Sequence, residues 1–175
     1  MRLLERNSHG TFSLAEFVGN GIPRYAILSH TWGADGDEVT FKDLAEGSGS
    51  IKVRYNKIWF CEERAKIDGI RYFWVDTCCT DKSSSAELSE AINSMFHWYR
   101  NAAKCYVFLT DVSKHGKNGN GKDSQFRKSR WFTRGWTLQE LIASLSVDFF
   151  SLEGERLGDK KSLEHQFHEI IGIAI

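Results

Sequence analysis

Short runs of apolar, β-prone residues alternate with stretches at helical spacing, and this alternation restricts the fold of the 175-residue chain more than any other feature. Tyr25-Ala26-Ile27-Leu28-Ser29 reads as a strand, introduced by Pro23 and ended by His30-Thr31-Trp32-Gly33. Residues 55–68 read as a helix, with Gly69 as its stop. Tyr72-Phe73-Trp74-Val75-Asp76 is nearly continuous in apolar residues, the pattern of a strand covered on both faces. Ser84-Ser85-Ala86-Glu87 fits a capping box, and Leu88, Ala91, Ile92, Met95, Tyr99 and Ala102 then fall on one helical face. Residues 104–109 form another buried-type strand. The Gly-, Lys- and Asn-rich stretch 113–130 has no periodicity and reads as a mobile basic loop. Residues 131–143 read as a helix, Val147–Phe150 as a strand and 162–171 as a closing helix.

This order predicts an α/β fold with a mainly parallel central sheet and helices on both faces. A single domain over residues 1–175 is expected, since neither an internal repeat nor a dividing linker interrupts the pattern. Lys plus Arg and Asp plus Glu both number 23, so the formal net charge is 0. A neutral domain lacks the positive field that holds nucleic acid, and no nucleic-acid partner is expected. Cleavage or binding of nucleic acid through the 114–130 loop would demand steep salt dependence, which the neutral total disfavours. The four cysteines, Cys61, Cys78, Cys79 and Cys105, form no CxxC and make no disulfide framework, and Cys78 and Cys105, among apolar residues, read as small buried core side chains. Met1-Arg2-Leu3-Leu4-Glu5-Arg6 is too charged for a signal peptide, and no apolar run approaches the roughly 20 residues of a membrane span. The expectation is a soluble cytoplasmic protein without a membrane partner.

Ligands of parallel α/β sheets bind beyond the carboxyl ends of the strands. That rule selects Ser29, His30, Trp32, Asp76 and the 77–82 segment, with Arg134, Trp136 and Glu140 from the later helix. No GxxxxGK[ST] or GxGxxG is present; Gly116-Lys117-Asn118-Gly119-Asn120-Gly121-Lys122 lacks the following Ser or Thr and reads as a solvated insertion. His165 and His168 are spaced for one helical face but stand among ordinary surface charges, and no metal is expected. Cys78 and Cys79, with His30 at a neighbouring strand end, have the ingredients of an activated thiolate; as core side chains they need no function. Asp76 and Asp81-Lys82 suit either ribose hydrogen bonds or the cap of the next helix. Glu140, one turn from Trp136, is either a desolvated carboxylate beside an indole wall or a surface partner of Arg134.

Three blocks resemble the fungal heterokaryon-incompatibility (HET) domain: residues 25–33 (YAILSHTWG), 74–92 (WVDTCCTDKSSSAELSEAI) and 130–141 (RWFTRGWTLQEL). Thr80 departs from the Ile more usual in that family, and the insertion near 114–129 falls where the family varies. The resemblance implies a cell-death module with a fold similar to the Toll/interleukin-1 receptor (TIR) domain, a flavodoxin-like α/β sheet. Many TIR domains cleave NAD with a Glu on the helix after the third strand, and Glu140 stands at the matching position. The resemblance thus implies Glu140 as the catalytic carboxylate, NAD as substrate rather than cofactor, and self-association to a dimer or higher oligomer. The substrate-binding set that goes with it is Ser29, His30, Trp32, Asp76, Arg134 and Trp136. Trp32 or Trp136 would stack on a ring, Arg134 would hold a phosphate, and Ser29 or Asp76 would meet ribose. The rival expectation is a non-catalytic module that signals by homotypic assembly, its Trp residues serving as interface anchors.

Overall fold

The computed structural model describes residues 1–34, 36–113 and 122–172. Strands β1 (Arg2–Arg6) and β2 (Phe12–Glu16) precede β3 (Tyr25–His30), helices α1 (Phe41–Ala45) and α2 (Asn56–Ile67), and β4 (Tyr72–Trp74). Helix α3 (Ser85–Asn101), β5 (Lys104–Phe108), α4 (Lys122–Arg127) and α5 (Gly135–Ala143) follow, then β6 (Val147–Phe150), β7 (Arg156–Asp159) and α6 (Glu164–Ile171). The seven strands of the described residues form one sheet in the order β2-β1-β4-β3-β5-β6-β7. Its centre, β4-β3-β5-β6, is parallel, while β1, β2 and β7 join antiparallel at the two sides. The fold is therefore α/β, as the alternation of runs predicts. Counted among themselves, the parallel strands lie in the order 2-1-3-4, the flavodoxin-like winding.

Parallel strands need crossovers, and these crossovers cover both faces. Helix α2 covers one: Phe60 stacks on Phe108 with centroids 4.5 Å apart, and the Tyr106 hydroxyl donates to Asp68 at the helix end. On the opposite face Trp74 meets Trp98 and Tyr99 of α3 at 5.4 and 6.1 Å. Farther along that face Phe149 packs against Trp131 at 5.5 Å and Phe167 of α6 at 5.2 Å.

Several local features differ from the sequence reading. The N-terminal hairpin β1–β2 is absent from it because β1 shows no alternation: Leu3 and Leu4 point to opposite faces and both are buried. The hairpin turn is held by Asn7, whose Oδ1 accepts the His9 and Thr11 N–H groups at 3.0 Å. Residues 122–127 are helix α4 rather than loop, whereas 114–121, including the Gly/Lys run, lie outside the described residues. The 131–143 helix is broken: Arg130–Thr133 is a 3-10 turn, Arg134 is extended, and α5 starts at Gly135. Ser84 caps α3 by accepting the Glu87 N–H at 3.3 Å, but the capping box is incomplete. The Glu87 carboxylate instead takes the Asp81 N–H at 2.7 Å and both arms of the Arg2 guanidinium, tying β1 to α3. No described helix is long and apolar enough to cross a membrane.

Phe167 is fully buried among Phe126, Phe132 and Phe149. Phe167→Ala is expected to cost about 3–5 kcal/mol, a cavity too large to close, and calorimetry should show a fall of roughly 6–20 °C in Tm.

Candidate functional site

The winding brings the chemistry to one end of the sheet. β3 delivers Ser29 and His30 and runs into Thr31-Trp32-Gly33; β4 delivers Val75 and Asp76 before the chain turns, the Cys79 N–H donating to the Val75 carbonyl at 2.9 Å. The extended Arg134 and the first two turns of α5 bring Trp136, Thr137 and Glu140 over the same end. Thr137 fixes that approach, its hydroxyl donating to the Trp131 carbonyl and lying 2.7 Å from that of Arg134. Between α3, α5 and the strand ends opens a cleft of about 250 Å³.

Glu140, His30, Trp32, Asp76, Arg134 and Trp136 all line this cleft. Ser29 does not. It is fully buried beneath, where its hydroxyl oxygen accepts the Trp131 Nε1–H at 2.8 Å, leaving its own proton to face Glu140. Lys82, from the 77–82 segment selected at the strand ends, lines it too, whereas Tyr99 and Thr137 stand outside the expected set. Their signal lay in position alone: Tyr99 on the buried stripe of α3, Thr137 one residue from Trp136.

The alternatives left open by the sequence now separate. Cys78 and Cys79 are buried and do not line the cleft; burial pushes the Cys78 thiol well up, the opposite of activation. Asp81 belongs to the turn before α3, accepting the Ser83 N–H at 3.0 Å, whereas Asp76 faces the cleft. Glu140 is only 8% exposed, so it is no surface partner of Arg134. His165 lies on the surface of α6, 3.4 Å from Glu169, and among the described residues no three metal-ligating side chains converge.

Asp76 is the hub of the polar wall. One oxygen lies 2.9 Å from His30 Nε2 and the other accepts the Trp32 indole N–H at 2.7 Å. Burial by itself would raise this carboxyl, but His30, Lys82 and Lys57 hold it well below the usual range, so it is ionised. Beyond His30 stands Lys57, 2% exposed and ion-paired with Glu38. On the open side, Lys82 Nζ lies 3.7 Å from the Trp32 ring centroid and the Arg134 guanidinium carbon 5.8 Å.

The family profile described as "Heterokaryon incompatibility protein (HET)" matches residues 25–125, the segment that carries the β3 and β4 ends of this cleft. Over 179 aligned residues the chain is 57% identical to "Vegetative incompatibility protein HET-E-1" of Podospora anserina, which covers 100% of this chain and 13% of that protein. The chain belongs to the heterokaryon incompatibility family. No solved structure matches it. The profile stops before α5, so Trp136 and Glu140 lie outside it and inside the alignment to the Podospora protein.

Within this HET domain Glu140 stands apart from Asp76. Its Oε2 is buried without a hydrogen-bond partner. Burial raises the carboxyl to about 8, with Asp76 adding to the rise and the Ser29 hydroxyl and Arg134 opposing it. The stability consequence has a definite sign. A carboxyl raised from its ordinary 4.5 to about 8 on folding stabilises the fold fully below pH 4.5, and that contribution is lost as pH rises to about 8. Glu140→Gln removes the dependence. The variant is expected to gain Tm relative to the natural protein between pH 5 and pH 8, by several degrees in thermal melts; parallel pH profiles would show that Glu140 is not held neutral.

Proposed function

We propose that this HET domain hydrolyses NAD to nicotinamide and an ADP-ribose product, acting in the cytoplasm as the cell-death effector of heterokaryon incompatibility. The observation that carries the reading is Glu140, a buried carboxyl with one unpartnered oxygen in an aromatic-walled cleft that has cationic groups at its mouth. The flavodoxin-like winding supports it, as do the resemblance to TIR domains and the place of Glu140 on the helix after the third parallel strand. The name of the Podospora relative supports the biological role.

The chemistry suits the residues. In NAD the pyridinium leaves as neutral nicotinamide, taking the electron pair of the C–N glycosidic bond, so no general acid is required. The ribose is left with oxocarbenium character, and water attacks it, losing a proton to solvent. An ionised Glu140 stabilises that cation directly or through the ribose hydroxyls. Arrival of the pyridinium itself favours the ionised carboxylate. Arg134 and Lys82 stand where a diphosphate would be held, and Trp136 offers a ring face. We take the active form to be a dimer or higher oligomer, as the TIR resemblance implies.

A second reading, assembly without catalysis, is favoured by the exposed apolar side chains Ile92 and Phe96 on α3 and Trp136 and Ile142 on α5. Product formation separates the two. Purified chain at high concentration is expected to release nicotinamide from NAD, and Glu140→Ala to lower turnover by about a hundredfold or more with the fold intact. Full activity in that variant removes Glu140 from the mechanism, and no release from folded natural protein leaves the assembly reading. Because only the carboxylate stabilises the developing cation, kcat/KM is expected to rise with pH, to be half-maximal near pH 8 and to level off about one pH unit above that.

A further inference from the structure

Lysine is almost never fully buried unless it is paired, yet Lys57, in the first turn of α2, is only 2% exposed. Its ammonium pairs with one oxygen of Glu38, and the other oxygen of Glu38 accepts the Gly33 N–H at 2.8 Å. The same Nζ lies 3.2 and 3.3 Å from the two ring nitrogens of His30. Asp76 accepts hydrogen bonds only, so the proton shared at 2.9 Å belongs to His30 Nε2, and Nδ1, which also lies 3.1 Å from the Thr31 carbonyl, is the ring nitrogen that can accept from Lys57. The other Asp76 oxygen holds the Trp32 indole at 2.7 Å. Two chains of polar contacts thus leave Lys57: one ends on the backbone just after Trp32, the other on its ring.

We propose that Lys57 is a positioning residue for the cleft, fixing Trp32 and the turn after β3 through Glu38 on one side and His30 and Asp76 on the other. Stability alone does not explain a lysine here, because apolar residues of similar volume replace buried ion pairs at little or no cost in stability. The ammonium supplies direction. It orients the Glu38 carboxylate and the imidazole, and these determine where the indole stands. Without it, His30 can turn and Asp76 follows, so Trp32, already 43% exposed, is free to swing across the cleft.

The consequence for turnover rests on the NAD-cleaving reading; the consequence for Trp32 does not. The test uses the full chain labelled with 5-fluorotryptophan, whose six tryptophans give six fluorine resonances, that of Trp32 being assigned with Trp32→Phe. In Lys57→Met, and in Lys57→Met/Glu38→Gln, which removes both charges so that neither is left unpaired, the Trp32 resonance is expected to shift and broaden while the others hold. KM for NAD should rise roughly tenfold with kcat within about twofold, since the contacts of Glu140 on α5 are untouched. A merely structural role predicts the reverse: a smaller active fraction and lower kcat, unchanged KM and an unmoved Trp32 resonance. That result overturns the proposal, as does failure of both variants to fold. If the natural protein releases no nicotinamide, the NAD reading fails and the fluorine resonance alone decides Lys57.

Discussion

Parallel strands cannot be joined by tight turns, and most of this molecule follows from that constraint. Each crossover between β3, β4, β5 and β6 must carry a connection over a face of the sheet, so the central strands lose contact with water on both sides and their apolar runs become continuous. The same geometry makes all four strands end on one edge. Because β4 lies on one side of β3 and β5 on the other, the connections diverge there and leave a crevice. The cleft is the space the winding leaves open, and its polar lining comes from residues that terminate strands or follow them.

Two carboxylates share that cleft under opposite conditions. Asp76 is surrounded by donors, with His30 and Trp32 satisfying both oxygens and Lys82 and Lys57 nearby, so its charge is favoured. Glu140 is buried and has an oxygen without a donor, and its burial outweighs the nearby Ser29 and Tyr99 hydroxyls, so its charge is disfavoured. Environments that push two similar groups apart are how one site obtains an anion and a neutral acid at the same pH. A fixed anion at Asp76 holds the architecture, while the Glu140 carboxyl stays mostly protonated below about pH 8.

The parallel core was legible because burial on both faces writes itself into composition: 25–29, 72–76, 104–109 and Val147–Phe150 have no competing interpretation. The side strands were not. β1 carries Leu3-Leu4 between charged residues, and β7, Arg156-Leu157-Gly158-Asp159, offers a single apolar side chain, Leu157, beside the Arg156–Asp148 ion pair. The edge on which the candidate site lies was legible from strand ends, and Glu140, Trp32 and Asp76 were found there. Lys57 and Glu38 were invisible, since nothing in a linear sequence says that a lysine in Asn56-Lys57-Ile58 points inward or that a glutamate 19 residues earlier meets it.

The geometry also divides labour between the two exposed tryptophans of the cleft, Trp32 and Trp136. The ammonium of Lys82 lies 3.7 Å from the centroid of Trp32, so that face of the indole is already covered, and its N–H is committed to Asp76. For a ring to stack there, the cation must first be drawn away. Trp136 is 50% exposed, and among the described residues no ring or cation stacks on it. A flat ligand therefore meets Trp136 without displacing anything, whereas the covered face of Trp32 opens to a ligand that also carries negative charge to engage Lys82. A ring and an anion on one molecule satisfy both conditions at once. On the NAD-cleaving reading, a bare nicotinamide would satisfy only the first, and the phosphates of the dinucleotide would do more than add affinity: they would uncover the second aromatic wall.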